Sequence, residues 1–228
     1  YIIEQYIKFN PKTIYIAYCA KDCVQNNCDD RYREWLSKNG LQSNDYYLVV
    51  GRFVPENNYE LIIREYLKSS TKKPLVLVTN IERNDFYNSL VKKTGFTKDE
   101  RIKFVGTIYD KELLFCIRKN AYAYIHGHSV GGTNPSLLEA LSATNINLLF
   151  DVGFNQEVAG ETAFYFSYED GSLESLIQRV ERLSKEQMLQ MGEMARTRMQ
   201  KKYSMKVIID KYEKLFEAKG VCNEGIVD

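Results

Sequence analysis

With 228 residues, 44% of them hydrophobic and 27% charged, the chain has enough apolar material for one large core or a domain with appendages. A formal net charge of +1 argues against a surface that works by neutralising nucleic-acid phosphates. Five cysteines, an odd number, do not suggest a disulfide framework and fit a reducing cytosol, and no apolar run approaches the length of a membrane span.

The chain opens YIIEQYIKF, without a methionine and in the middle of an amphipathic pattern, which reads as the end of a helix in a piece of something longer. Pro11 breaks that helix, and TIYIAY at 13–18 predicts a strand. Residues 19–44 are polar and irregular, with a short helix predicted around 30–38 and closed by Asn39-Gly40. Cys19, Cys23 and Cys28 lie close together there, but their spacing fits no common zinc pattern and both histidines are far away. No metal site is expected.

From Tyr46 the pattern changes. YYLVVGRF predicts a strand that ends in Gly51-Arg52, and a helix over 56–69 follows Pro55. PLVLVTN at 74–80 predicts the next strand, ending in Asn80, and a helix over 83–94 is stopped by Gly95. RIKFVG at 101–106 predicts a third strand, ending in Gly106-Thr107, and Asp110 caps a helix that runs through Asn120. AYAYI at 121–125, NINLLFD at 145–151 and AFYF at 163–166 predict three more strands, with a loop after Asp151. Beyond Ser172 the chain reads as helical to about residue 218, with breaks near Ser184 and Ser204, and the last residues as disordered. Continuous apolar strands alternating with amphipathic helices indicate an α/β fold, a doubly wound parallel sheet with helices at its C-terminal end.

The stretch 121–141, AYAYIHGHSVGGTNPSLLEAL, is the most informative. A strand runs into the loop HGHSVGGTN, and a helix starts with Asn134 as N-cap and Pro135 in its first turn. Strand, glycine loop and helix N-terminus together offer free N–H groups and a positive dipole end to an anion, typically phosphate. Glu139, just over one turn in, is placed to accept hydrogen bonds from vicinal sugar hydroxyls. The alternative is a turn that needs glycine for its backbone geometry, with Glu139 on a solvated face. In a parallel sheet ligands sit at the carboxyl ends of the strands near the switch point. Gly51-Arg52, Asn80, Gly106-Thr107, the 126–134 loop and the loop after Asp151 all fall on that edge.

Over residues 46–216 the chain resembles the C-terminal, donor-binding domain of GT-B glycosyltransferases, in particular glycosyltransferase family 4. The likeness rests on GRF at a strand end, on FVG, on the loop into PSLLEAL, on DVGFNQEVAG and on the late helix KKYSMKVIIDKYEKLF. GRFVPENN together with HGHSVGGTNPSLLEA is most similar to a bacterial rhamnosyltransferase-like branch that builds surface polysaccharides. The resemblance implies that Gly51 and Arg52 meet the donor phosphates, Arg52 stabilising the leaving group, that Gly132, Thr133 and Asn134 meet the diphosphate, and that Glu139 holds the ribose. Gly106, Thr107 and Tyr109 match the segment near the base. Two departures stand out. The first glutamate of the family's pair falls on Gly131, and its phosphate-binding lysine is replaced around Asn57 or Asn58. His126 or His128 is then available as a donor to the diphosphate or the sugar.

The implied division is a remnant of the N-terminal domain and crossover linker at 1–44, the donor-binding domain at 45–218 and a disordered tail at 219–228. The implied function is transfer of a sugar, rhamnose in that branch, from a nucleoside-diphosphate sugar to a growing polysaccharide or glycolipid. The acceptor is bound by an N-terminal domain that this chain lacks, so the chain alone is expected to bind donor without transferring it. No cofactor beyond the sugar nucleotide is implied, no nucleic acid is a partner, and the parent enzyme is expected in the cytoplasm, with peripheral association at the inner membrane face. A GT-B-fold sugar-nucleotide epimerase and a non-catalytic nucleotide-binding or partner-docking domain are the alternative readings.

Overall fold

In the computed structural model, which describes residues 14–20 and 29–220, the alternation of side chains along each strand sorts the core into layers. On β1 (Tyr47–Val50), Tyr47 and Val49 pack on one face of the sheet with Ile62 and Ile63 of α2 (Tyr59–Lys68) and Leu90 of α3 (Asp85–Thr94). Leu48 packs on the other with Trp35 of α1 (Asp29–Asn39) and Ile117 of α4 (Lys111–Lys119). β2 (Leu75–Val78), β4 (Ala123–His126) and β5 (Asn147–Phe150) are buried along their whole length, whereas β3 (Ile102–Phe104) and β6 (Phe164–Phe166), at the two edges, are only partly covered. Strands that are covered on both faces need continuous apolar runs, the pattern seen in the sequence. Each fully buried aliphatic side chain contributes about 1.5–3 kcal/mol.

The six strands are all parallel and lie in the order β3-β2-β1-β4-β5-β6. The chain winds outward from β1 to β3, then crosses back to begin β4 on the other side of β1, with Tyr47 beside Ala123. The loops after β1 and β4 therefore leave in opposite directions, which opens a crevice at the carboxyl edge. Beyond β4, α5 (Pro135–Ala143) packs with α8 (Lys185–Tyr203) over Leu149, while α7 (Ser172–Val180) joins the α2 face.

The helix ends follow local chemistry. The Asp110 carboxylate accepts from the N–H groups of Glu112 and Leu113, Gly95 closes α3 in the left-handed region at φ 63°, and Ser184 and Gln187 form a capping box on α8.

Four expectations change. Residues 14–18 are not a strand; they run along the surface, with Ala17 and Ala20 buried and the Ala20 N–H donating to the Tyr203 carbonyl at 2.7 Å. The helix expected over 56–69 is split into a 3-10 turn (Pro55–Asn57), Asn58 in the left-handed region at φ 53°, and α2. The loop expected after Asp151 contains a helix, α6 (Gly153–Ala159), followed by a 3-10 turn (Gly160–Thr162). The final helix, α9 (Met205–Gly220), continues past residue 218, so positions 219 and 220 are helical. The expected helix at 1–9, Cys23, Cys28 and positions 221–228 lie outside the described residues. Helix α1, placed in the linker by the sequence, buries Tyr32 and Trp35 in the same cluster as Tyr46 and Leu48. Among the described residues no helix is long and apolar enough to cross a membrane.

Candidate functional site

At the end of β1 the chain turns sharply. The Tyr59 hydroxyl donates to the Gly51 carbonyl at 2.9 Å, and the Arg52 carbonyl accepts from the Val54 N–H at 2.9 Å and from Asn57 Nδ2 at 2.7 Å. With its backbone held this way, Arg52 is exposed, and its guanidinium forms no ion pair among the described residues. The turn is also tied to the loop after β4. Asn58 Nδ2 donates to the Gly127 carbonyl at 2.7 Å, and the Ser129 N–H and hydroxyl both donate to the Glu56 carbonyl at 3.0 Å. Tyr168, past β6, donates to Asn58 Oδ1 at 3.2 Å. A side chain at Gly127 would meet the Asn57 carbonyl oxygen at 2.3 Å, so this approach requires glycine.

The loop from β4 to α5 supplies the opposite lip. Asn134 Oδ1 accepts from the Ser136 N–H at 2.9 Å, which caps α5. Gly131 sits at φ 126°, a conformation that favours glycine, and its missing Cβ would lie 3.4 Å from His128 Nε2. No hydrogen bond from the N–H groups of Gly131 and Gly132 is found among the described residues, whereas the Thr133 backbone N–H is bonded to the Tyr15 hydroxyl. Thr133 is buried, and its hydroxyl meets that of Tyr15 from the 14–20 segment. A helix N-terminus preceded by unbonded N–H groups is suited to an anion.

Behind this lip runs a buried polar string. The Tyr124 hydroxyl lies 3.3 Å from the Val50 carbonyl and 3.1 Å from Ser136 Oγ, and Arg118 Nη2 donates to the same Ser136 oxygen at 3.0 Å. Arg118 Nη1 then pairs with Glu139 Oε2 at 2.8 Å. His126 is enclosed beside Tyr124; burial first, then the positive charges of His128 and Arg118, push its pKa down to about 3. His128 is partly open. Burial and then the Arg52 charge hold its pKa below the usual histidine value, opposed by Glu56 and the Val130 carbonyl.

On the other side of Arg52 a cleft of about 530 Å³ opens over the ends of β1 and β2 and the loop after β3. Gly51, Arg52, Asn80, Thr107 and Tyr109 line it, as the sequence placed them, together with Phe53, Val54, Glu82 and Asn84, which the sequence did not single out. Phe53 is fixed from below by Tyr59 and Phe86, with ring centroids at 5.1 and 4.8 Å. Gly106, in the left-handed region at φ 79°, turns the chain ahead of Thr107 and Tyr109, and Tyr109 is 88% exposed.

The candidate residues thus divide into two groups about Arg52. Those of the β1–β3 loops form the cleft. Asn57, His128, Gly131, Gly132, Thr133 and Asn134 form the crevice, with Glu139 behind them on α5. His126 lies beneath the crevice, enclosed by packing, and Asn134 spends its side chain on the cap. Sequence reasoning pointed to Asn57 or Asn58 without the tie that Asn58 makes to Gly127, and missed Gly127, Ser136, Tyr124 and Arg118. Only the glycine between two histidines gave a local signal, of close backbone approach.

A six-stranded parallel sheet wound in two directions from β1, with helices on both faces and a glycine loop, a helix end and a cleft at its switch point, defines a Rossmann-like α/β domain. Residues 32–203 match the family of glycosyl transferases group 1, and the chain belongs to that family. No curated protein is recognisably similar in sequence. Among solved structures, a glycosyltransferase from Rickettsia africae is similar with a TM-score of 0.77 at 14% identity, covering 95% of this chain and 61% of that one. Sucrose-phosphate synthase from Thermosynechococcus elongatus follows with a TM-score of 0.70 at 18% identity, over 84% of this chain and 49% of that one. Anabaena Alr3699/HepE in complex with UDP and glucose gives a TM-score of 0.71 at 14% identity, over 84% of this chain and 53% of that one. At these identities the likeness establishes the fold, and the chain spans between 49% and 61% of the length of the three.

Proposed function

We propose that this chain is the donor-binding half of a glycosyltransferase and holds a nucleoside-diphosphate sugar across the β1–β4 crevice. The observation that carries this reading is the juxtaposition of Arg52, exposed and without an ion pair among the described residues, with the N-terminus of α5, whose Ser136 hydroxyl reaches the Val50 carbonyl at the end of β1. A diphosphate leaving group develops negative charge as the glycosidic bond breaks, and a guanidinium and a helix dipole are suited to meet it. In this reading the cleft beside Thr107 and Tyr109 takes the base and Glu139 accepts from the ribose. The UDP and glucose in the similar Anabaena structure favour a uridine nucleotide and a hexosyl group.

The GRFVPENN and HGHSVGGTNPSLLEA segments favour rhamnose as the sugar transferred. Because the chain spans about half to three fifths of its solved relatives, the acceptor, a growing polysaccharide or glycolipid, is assigned to the remaining half of the enzyme. In the same reading the enzyme works in the cytoplasm, against the inner membrane face.

Calorimetric titration with UDP, dTDP, GDP and inorganic pyrophosphate tests the reading. One nucleoside diphosphate should bind, and Arg52→Lys, which keeps charge but loses the planar fork, should weaken it about tenfold while leaving nucleoside affinity and melting temperature unchanged. Binding of none of the four, or equal loss for diphosphate and nucleoside, rejects it.

A further inference from the structure

Resting on the donor-binding reading above, we infer that Arg118 is a positioning residue that aims the Glu139 carboxylate at the ribose and ties it to the β1 end that carries Arg52. Arg118 stands in the last turn of α4, where a basic residue normally interacts with the helix C-terminus and stays in water. Here its side chain is turned inward and is 4% exposed. Burying a guanidinium is costly unless every N–H finds a partner, and its Nε finds none among the described residues. An arginine kept only to fill space would be better replaced by an apolar side chain.

What Arg118 does bind points in one direction. Nη1 holds Glu139 Oε2 at 2.8 Å, and Nη2 holds Ser136 Oγ at 3.0 Å. Ser136 and the Tyr124 hydroxyl, 3.1 Å apart, carry the string to the Val50 carbonyl, one residue before Gly51-Arg52. Glu139 is 35% exposed at its side chain, and its Oε1 has no partner among the described residues. Fixing one oxygen of a carboxylate fixes the direction of the other. The open oxygen then meets a vicinal diol without first losing side-chain freedom.

A brace that merely joined α4 to α5 would support every ligand equally, whereas an aiming role concerns the ribose alone. The test uses Arg118→Met and Arg118→Lys, titrated with UDP, 2′,3′-dideoxy-UDP and pyrophosphate (the guanosine pair replacing the uridine pair if GDP is the nucleotide bound), alongside melting curves. The parent chain should bind UDP about tenfold tighter than the dideoxy analogue. Arg118→Met should bring that ratio close to one, Arg118→Lys should restore part of it, and pyrophosphate affinity should not move. A preserved ratio, or equal weakening of both nucleotides with a lower melting temperature, overturns the aiming role. If Arg118→Met does not fold, the ratio in Arg118→Lys decides, because lysine keeps the charge and loses the second N–H to Ser136. A parent chain that binds pyrophosphate but discriminates no ribose overturns the role of Arg118 and leaves the diphosphate site standing. A parent chain that binds none of the probes overturns both.

Discussion

His128 Nδ1 lies 2.9 Å from Asn57 Oδ1, across the crevice between β1 and β4. The other end of the same amide donates to the Arg52 carbonyl at 2.7 Å, which fixes Oδ1 as the end that faces the imidazole. An amide oxygen only accepts, so the proton of this bond sits on Nδ1, while Nε2 lies beside Gly131. Asn57, at a position where the resemblance expects a phosphate-binding lysine, thus holds the Nδ1 proton of a histidine.

The first prediction follows for proton linkage. In the free protein, burial and the Arg52 charge depress the His128 pKa below 6.5, so the ring is neutral at neutral pH. A bound diphosphate offsets the Arg52 charge and raises that pKa. Between the free and bound values the complex holds more protons, so diphosphate affinity should rise as pH falls below the ordinary histidine value. Calorimetry at about pH 6 in buffers of different ionisation enthalpy should report proton uptake that vanishes in His128→Gln. Identical heats in the buffers would contradict it.

Acid stability should depend on His126. Its folded pKa, pushed down to about 3 from 6.5, means that the unfolded chain binds a proton that the folded chain refuses. The stability from keeping this ring neutral is complete above about pH 6.5 and is lost progressively as pH falls toward 3. His126→Gln should flatten the acid limb of a urea-midpoint profile across that window. An unchanged slope would show that the titrating group lies elsewhere.

Glu139→Ala should do more than weaken nucleotide binding. Glu139 is paired with buried Arg118, so its removal leaves a guanidinium with no ion-pair partner among the described residues. A loss of about 1–3 kcal/mol in folding free energy is expected, measurable by urea denaturation. Parent-like stability would mean that Arg118 finds another partner.

Gly127→Ala should be the most damaging single methyl group in the site. Its Cβ would stand 2.3 Å from the Asn57 carbonyl oxygen and 2.8 Å from Ile62 Cδ1, and the first of these is backbone. Overpacking of this kind costs about 1–3 kcal/mol, and separating the two lips should weaken diphosphate binding as well. Wild-type stability would show that the lips part easily.

The parts of this protein that were legible in the sequence are those whose cause is local. β1, β2, β4 and β5 were legible because burial on both faces demands continuous apolar runs, and α4 and α5 because Asp110 and Asn134 cap them. The strand expected at 13–18 failed because alternating β-branched and aromatic residues imitate a strand, while tertiary packing buried only the small Ala17. Helix α6 was missed because GFNQEVA is too short for a period and Val152 offers no side-chain cap. In the site, the strand ends and the glycine loop could be read from spacing. The bonds from Asn57 to His128 and from Asn58 to Gly127, and the inward turn of Arg118, join positions far apart in the chain and left no periodic trace.

The left-handed turn at Asn58 has a kinetic consequence. Because it already moors the β1 loop to the β4 loop through Gly127, and Tyr168 moors it again, the mouth of the crevice has its width before any donor arrives. Recognition across those lips then resembles a key meeting a cut lock, with no slow ordering of loops between encounter and capture, and capture should track donor concentration without levelling off.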